Sequence, residues 1–482
     1  MNDDNLSVAL AWHLGATRFD DIPEPARHAA ERSLLDAVGV SIAATGLDPA
    51  ARSVAAGSSP VAEGGAREST VFGAQGRVPA AAAALANGAF AHALDFEDAL
   101  DGLPIHPNAQ MVPAVLAVAE DRDLAGADVV RALAIGCDLG ARIAAAAGTA
   151  IEDAGWYPPP IAGALGAVGA LANLVGLDTR RTLDALSLAL MQVTASGEAG
   201  LSPLSTIRGI RDGFSAHAAV RSLVLAEAGI RGFDDPLGGR KGFFATFAQG
   251  RADLGPLLDG LGEYYYGADV AFKPWPSCRG THAFVGSVLR MRQGVALDEI
   301  DSIAVWGAPF VLTLAEPRAA KIAPRVAIDA KFSVPFTVAV ALVDGDVTLR
   351  SYEPASLERD DLRAWAARVE VAVDADFDAT AGFSGGRTEL RLRDGRVLSE
   401  TVLTPRGNPR DPLDDAALTA KFLDCVASGE PAVRGDRATR LARDLLGFRR
   451  VPSVRSLMSE NFGGQPTAGE QRESDAAWIP SR

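Results

Sequence analysis

Eleven consecutive residues, Phe272-Lys273-Pro274-Trp275-Pro276-Ser277-Cys278-Arg279-Gly280-Thr281-His282, gather a lysine, a cysteine, an arginine and a histidine in a loop stiffened by two prolines. Burying a lysine among such apolar neighbours disfavours its charged form. The sequence therefore predicts a lowered pKa for Lys273 and a role as a base. His282 opens an apolar stretch to Met291 at helical spacing, and the first N–H groups of a helix attract anions. A base beside anion-binding groups suits removal of a proton next to a carboxylate. The same residues also suit a plain turn ahead of a helix.

A second group is His92-Ala93-Leu94-Asp95-Phe96-Glu97-Asp98, followed by His106-Pro107-Asn108. Asp95, Glu97, Asp98 and Asp101 crowd four carboxylates near the expected C-terminus of a helix. Negative charge there opposes the macrodipole, at a few tenths to ~1 kcal/mol each. Three readings explain the crowding: a divalent-metal site, a carboxylate that orients His106 for catalysis, or a solvated loop. Tyr157 precedes Pro158-Pro159-Pro160 and so stands just outside a helix N-terminus, either facing a bound anion or capping a core. Arg208 and Arg211 precede another helix. Each could hold a carboxylate in a bidentate fork or lie in a surface ion pair.

The elements that must position these residues are mostly helical. Apolar residues at helical spacing predict helices from Pro23 to about Gly46, Ala80 to Phe96, Val112 to Val118, Val129 to Ala147, Pro160 to Leu174, Thr179 to Met191 and Phe214 to Gly229. Gly163, Gly166 and Gly169 recur at intervals of three, which places their helix in a crowded interior. The character changes after about residue 268. Strands are predicted at Ser302–Trp306 and Val369–Val373, and Thr388 to Leu398 alternates about Asp394-Gly395 as a hairpin with a two-residue turn. Helical stretches at His282–Met291 and Lys331–Leu342 lie between. Helices return at Asp414–Val426 and Asp436–Leu446, and the polar segment from Ser459 onward reads as loosely ordered. The expected architecture is mainly α with an inserted α+β domain. Residues 1–267 and 406–482 make a large helical domain, and 268–405 a smaller lid. A cleft between two such units is a usual place for a small-molecule site.

Composition narrows the function. The chain has 482 residues and a formal net charge of −15, which argues against nucleic acid and anionic membranes as partners. Three scattered cysteines fit a reducing compartment and exclude clustered-thiolate metal sites. The acidic start, Met1-Asn2-Asp3-Asp4, reads as no signal segment, so a cytoplasmic protein is expected. The uncharged run from Tyr157 to Leu177 is weakly hydrophobic and suits a buried helix better than a membrane span. No dinucleotide or Walker glycine loop and no HExxH pattern is present.

Taken together, these segments resemble the MmgE/PrpD family, whose members include 2-methylcitrate dehydratase, cis-aconitate decarboxylase and iminodisuccinate epimerase. The matching pieces are His92 to Asp98, His106-Pro107, Gly155 to Pro158, Lys273 to His282, and Ala330-Lys331-Phe332-Ser333-Val334-Pro335-Phe336. The resemblance implies a helical domain with an α+β lid, a homodimer, and catalysis in the cleft without metal or cofactor. Asp95, His106 and Lys273 match family active-site positions. Tyr157 stands where the family usually has histidine, Arg211 where lysine is common, and Phe336 where tyrosine is usual. Cys278 stands where the cis-aconitate decarboxylases carry histidine. The expected activity is proton abstraction alpha to a carboxylate of a small di- or tricarboxylate, by Lys273 or His106. Tyr157 would act on the other face and Asp95 would orient His106. Arg211 and Arg279, with Cys278 and His282, would line the substrate. A lyase is the main expectation; a two-base epimerase or a non-catalytic binding protein are the alternatives.

Overall fold

The computed structural model describes residues 5–59, 66–74, 76–202, 204–374, 376–377, 385–430 and 433–462. The long helices of the first half are α1 (Leu6–Ala16), α2 (Glu24–Leu47), α3 (Pro49–Gly57), α4 (Ala80–Ala93), α5 (Pro107–Arg122), α6 (Gly126–Ala147), α7 (Pro158–Val175), α8 (Thr179–Leu190) and α9 (Ile207–Glu227). Proline sets several starts. Pro25, Pro49, Pro107 and Pro158 sit in first turns, where a missing N–H costs nothing. α7 is long and apolar enough to cross a membrane, but 94% of it is buried inside the protein. It packs on α6, and a side chain at Gly166 would strike the backbone of Gly136.

The second half adds α10 (His282–Met291), α11 (Val334–Asp344), α12 (Asp415–Ser428), α13 (Asp436–Leu446) and α14 (Val454–Phe462). A two-stranded ribbon, β1 (Ser69–Thr70) with β2 (Arg77–Val78), lies among the early helices. The main sheet is β3 (Ile300–Gly307), β4 (Val369–Val373), β5 (Gly386–Leu392) and β6 (Val397–Val402), in the order β4-β3-β5-β6. β3 runs parallel to β4 and antiparallel to β5. The fold is thus mainly helical with a minor sheet.

Two apolar cores organise it. One gathers Leu10 through Phe272 and takes in Leu413 through Met458; the other gathers Trp275 through Leu392 around the main sheet and α10 and α11.

Four local expectations need correction. The helix expected to reach Phe96 ends at Ala93, because Asp95 takes a left-handed conformation with φ of 49°. Arg208 and Arg211 do not precede a helix; they lie in the opening turns of α9. The helix expected over Lys331–Leu342 breaks at Phe332-Ser333. The Ser333 hydroxyl accepts from the Phe336 amide at 3.0 Å and starts α11 afresh. The hairpin turns through three residues rather than two. Leu392 and Arg396 still pair, and Gly395, at φ of 91°, takes the left-handed position a three-residue loop requires. Of the polar tail, the residues from 463 on lie outside the described residues, while Ser459 sits within α14.

Candidate active site

The segment after α4 is stitched to the segment before α10. Ala99 and Ala271 exchange both backbone hydrogen bonds, at 2.9 and 2.7 Å. This pairing sets Lys273 against the Asp95 turn. Lys273 Nζ donates to the main-chain oxygen of Asp95 at 3.1 Å and to its Oδ1 at 3.0 Å, and lies 3.5 Å from Glu97 Oε1. All three side chains are buried. Burial alone would lower the lysine's pKa, as its apolar loop suggested. Asp95 and Glu97 outweigh that term, and the pKa of Lys273 is raised. The resting residue is an ammonium, so the expectation of a depressed, basic Lys273 does not hold.

A close helix crossing brings in the next layer. Gly88 on α4 meets Gly213 on α9 so tightly that a Cβ on Gly88 would sit 2.8 Å from the Gly213 Cα. The contact places His92 beside Arg211 and Asp212. His92 Nδ1 donates to Glu97 Oε1 at 2.7 Å and lies 3.5 Å from Asp212 Oδ2, while the Arg211 guanidinium donates to His92 Nε2. Gln110 donates to Asp212 Oδ1 at 2.8 Å. Burial, then Arg211, holds His92 well below its ordinary pKa, so it is neutral. Burial pushes Asp212 up to about 6.

His106 caps α5 without using its ring for the cap. Its Nδ1 donates instead to the Asp98 main-chain oxygen at 2.8 Å, with Glu97 Oε1 at 3.3 Å. Asp95, expected to orient this ring, is turned to Lys273; Asp98 and Glu97 do the orienting. Asp98's own carboxylate accepts from Asn108, and burial still raises it to about 7. His106 is held well below its ordinary pKa by desolvation and then by Lys273, and about a fifth of its side chain is exposed. With the proton on Nδ1, Nε2 presents a lone pair, as a general base requires.

Tyr157 and Arg211 line a cavity of about 390 Å³, together with Gln192, Ser196, Ser202 and Ser215. The Tyr157 amide donates to Ala195 at 2.8 Å, which fixes the loop over the cavity. Arg211 lies with its guanidinium carbon 5.0 Å from the Tyr157 ring centre, and Arg208 at 5.8 Å. Arg211 is buried, and its Nε and Nη2 have no hydrogen-bond partner.

The other sequence candidates lie elsewhere or carry no charge. Arg279 grips Asp101 through two bonds of 2.8 Å and donates to the carbonyls of Pro405 and Arg406, so its fork is engaged and not free for a substrate. His282 faces the carbonyl of Ser277 at 3.1 Å and Arg279 at 3.3 Å, inside the protein. Cys278 is buried, and burial pushes its thiol up to about 11.

Ligand atoms of His92, Asp95 and Glu97 lie within 4.8 Å of one another, as a metal site would need. Lys273 Nζ already stands between Asp95 and Glu97, so a positive charge of the chain's own fills that role. Sequence reasoning named Glu97 only as one of four crowded carboxylates, and it missed Asp212. The crowding was the available signal for Glu97. Asp212, next to Arg211, had no signal of its own.

Sequence profiles of two domains match nearly the whole chain: the MmgE/PrpD N-terminal domain over residues 8–254 and the MmgE/PrpD C-terminal domain over 275–445. The chain belongs to the MmgE/PrpD family. Among its relatives, the cis-aconitate decarboxylase-like protein oryM of Aspergillus oryzae is 23% identical over 94% of this chain and 97% of its own length. Cis-aconitate decarboxylase of Aspergillus terreus is 25% identical over 91% of this chain and 92% of its own. That of Homo sapiens is 25% identical, covering 73% and 74%. In this MmgE/PrpD protein the paired lysine, the pinned histidine and the arginine-lined cavity lie within one connected polar network.

Proposed function

We propose that this MmgE/PrpD protein is a lyase that withdraws a proton from the carbon next to a carboxylate of a small di- or tricarboxylate. The observation that carries the reading is His106, neutral, with Nδ1 tied to the Asp98 carbonyl, Nε2 left with the lone pair, and the Lys273 charge near enough to help hold the ring neutral. Nε2 takes the α-proton, and the C–H pair moves toward the carboxylate as an enolate-like charge. Lys273, held between Asp95 and Glu97, stabilises that charge by charge-assisted hydrogen bonding. Arg211 holds a carboxylate through Nη2, which has no hydrogen-bond partner, while its Nε faces Asp212, and Tyr157 covers the same cavity. The carbanion then expels a β-substituent with its bonding pair; in the alternative branch a carboxylate leaves as CO₂, its C–C pair forms the same kind of carbanion, and that carbon takes up a proton. The activity for which the relatives are named, cis-aconitate decarboxylation, agrees with this class of substrate. The chemistry asks for no metal or cofactor.

Three further parts of the reading go with it. The segment 268–405 serves as a lid on the helical body. Two copies associate, an assignment supported by the exposed apolar side chains of Ile207 and Phe214, which line the cavity, and of Met191 and Leu201, each next in sequence to a lining residue. The protein works in the cytoplasm, with its three buried cysteines unpaired.

The test is incubation in D₂O with citrate, 2-methylcitrate, cis-aconitate, malate, tartrate and iminodisuccinate, followed by proton NMR. New alkene signals or a lost carboxyl carbon are expected. Deuterium entering an α-carbon with the skeleton intact would make the enzyme an epimerase instead. Silence with every acid, together with ligand binding, would make the scaffold a binding protein.

A further inference from the structure

Five lysines and arginines are fully buried among the described residues: Arg142, Arg211, Lys273, Arg279 and Lys331. Four have a carboxylate within ion-pair distance: Asp138, Asp212, Asp95 and Asp101 respectively. Lys331 has none. Its Nζ donates to the main-chain oxygen of Leu94 at 2.5 Å, and the Tyr352 ring centre lies 5.3 Å away. A buried ammonium with one hydrogen bond out of three leaves two donors unmet, which is costly unless a ligand meets them or the proton leaves. Burial indeed lowers its pKa to about 8.

Lys331 lines a cavity of about 570 Å³ between the two cores. Its walls include Asp48, Ala93, Leu94 and Gly209 from the helical side and Ile328 and Tyr352 from the other. Other charged residues also line it: Asp48, Arg325, Glu353, Glu358 and Arg363. Arg325, Glu353 and Glu358 are exposed, and none of the acids comes within ion-pair distance of Lys331. Lys331 and Lys273, both from the C-terminal half, hold the successive carbonyls of Leu94 and Asp95. The cavity wall at Leu94 is therefore one peptide away from the proposed catalytic turn.

We propose that Lys331 anchors a carboxylate group of the ligand in this cavity, as a subsite next to the Asp95–Lys273 pair. The proposal rests on the proton-abstraction reading above for its choice of a carboxylate ligand. A carboxylate supplies the missing charge and accepts from the two unused donors, and a 570 Å³ space admits a small di- or tricarboxylate.

The test is calorimetric titration of the wild-type protein, Lys331→Met and Lys331→Arg with succinate, with citrate, and with uncharged succinamide. Loss of one charge-assisted contact is expected to weaken acid binding about ten- to a hundredfold in Lys331→Met. Lys331→Arg should keep most of the affinity, and succinamide should not distinguish the proteins. If circular dichroism shows that Lys331→Met does not fold, Lys331→Gln carries the same comparison. Equal acid binding by wild type and the uncharged variant overturns the subsite, as does failure of the wild type to bind either acid. Deuterium exchange in D₂O by the wild type reports on the proton-abstraction reading separately, so each can fail without the other.

Discussion

His106 Nδ1 lies 2.8 Å from the main-chain oxygen of Asp98, and that one contact fixes which ring nitrogen can take a proton. A carbonyl only accepts, so Nδ1 must carry the hydrogen and Nε2 the lone pair. The carbonyl belongs to the backbone, so no side-chain change at Asp98 removes it directly. Replacing His106 by Gln keeps a similar shape and removes the base. The rate of deuterium entry into substrate should fall about 10²- to 10⁴-fold, with unfolding in urea little changed because the ring is partly exposed. A variant as fast as wild type would move the base elsewhere.

The Lys273 ion pair is a second, separable prediction. Lys273→Met leaves Asp95 and Glu97 buried beside an apolar group, and breaking a buried pair this way costs about 3–5 kcal/mol. Adding Asp95→Asn to the same chain should restore part of that stability without restoring activity. Urea denaturation of the single and double variants measures the coupling. Additive losses would mean that the pair does not act as a unit.

Acid should act on the enzyme through its neutral histidines. His106 has its pKa lowered from 6.5 by burial and by Lys273. The folded protein therefore binds the proton less readily than the unfolded chain. The stability His106 confers is complete above pH 6.5 and is lost as pH falls below it, by up to about 1.4 kcal/mol per pH unit for one proton. As the base, His106 stays active below its ordinary pKa of 6.5. The acid limb of the kcat/KM profile is expected below 6.5 and should vanish from the residual rate of His106→Gln. A limb above 6.5 would contradict the assignment.

Much of this site was legible from residue types, and the failures have physical causes. Lys273, His106, Tyr157 and Arg211 could be named because each stood in a short, chemically crowded run. Their pairing could not be read. Desolvation of Lys273 was foreseen, but its sign reverses because Asp95 and Glu97, remote in sequence, fold against it. Arg279 carried the same charge as Arg211 and drew the same expectation; only the fold shows Asp101 and two carbonyls taking up its fork. Lys331 sits in an ordinary helical pattern, and its distinction, the lack of a counter-charge, exists only in three dimensions. The helices were easier, since proline starts and apolar spacing are local. The end of α4 was misplaced because the left-handed turn at Asp95 is imposed by contacts with the other half of the chain.

Chelation should leave the enzyme unaffected. His92, Asp95 and Glu97 have metal-like spacing, but the Lys273 ammonium lies 3.0 Å from Asp95 and 3.5 Å from Glu97. A divalent ion there would face like charge at close range. Dialysis against EDTA should change the rate of deuterium exchange by no more than the scatter of the assay. Lost activity restored by one divalent metal would revive the metal reading of the carboxylate cluster.

The crossing of α4 and α9 is where packing and chemistry meet. A methyl group on Gly213 would lie 2.3 Å from the Leu85 carbonyl oxygen and 2.9 Å from the Ala89 nitrogen, and both are backbone atoms that cannot turn aside. The helices must separate to admit it. Overpacking of this kind costs about 1–3 kcal/mol. Separation also draws Arg211 and Asp212, the residues just before Gly213, away from His92 on α4. Gly213→Ala should therefore lose both stability and exchange rate, while Gly57→Ala, at the open end of α3, should lose neither. Urea midpoints and deuterium-exchange rates measured on the same samples decide it. A Gly213→Ala protein that is less stable but fully active would show that the His92–Arg211 contact is structural only.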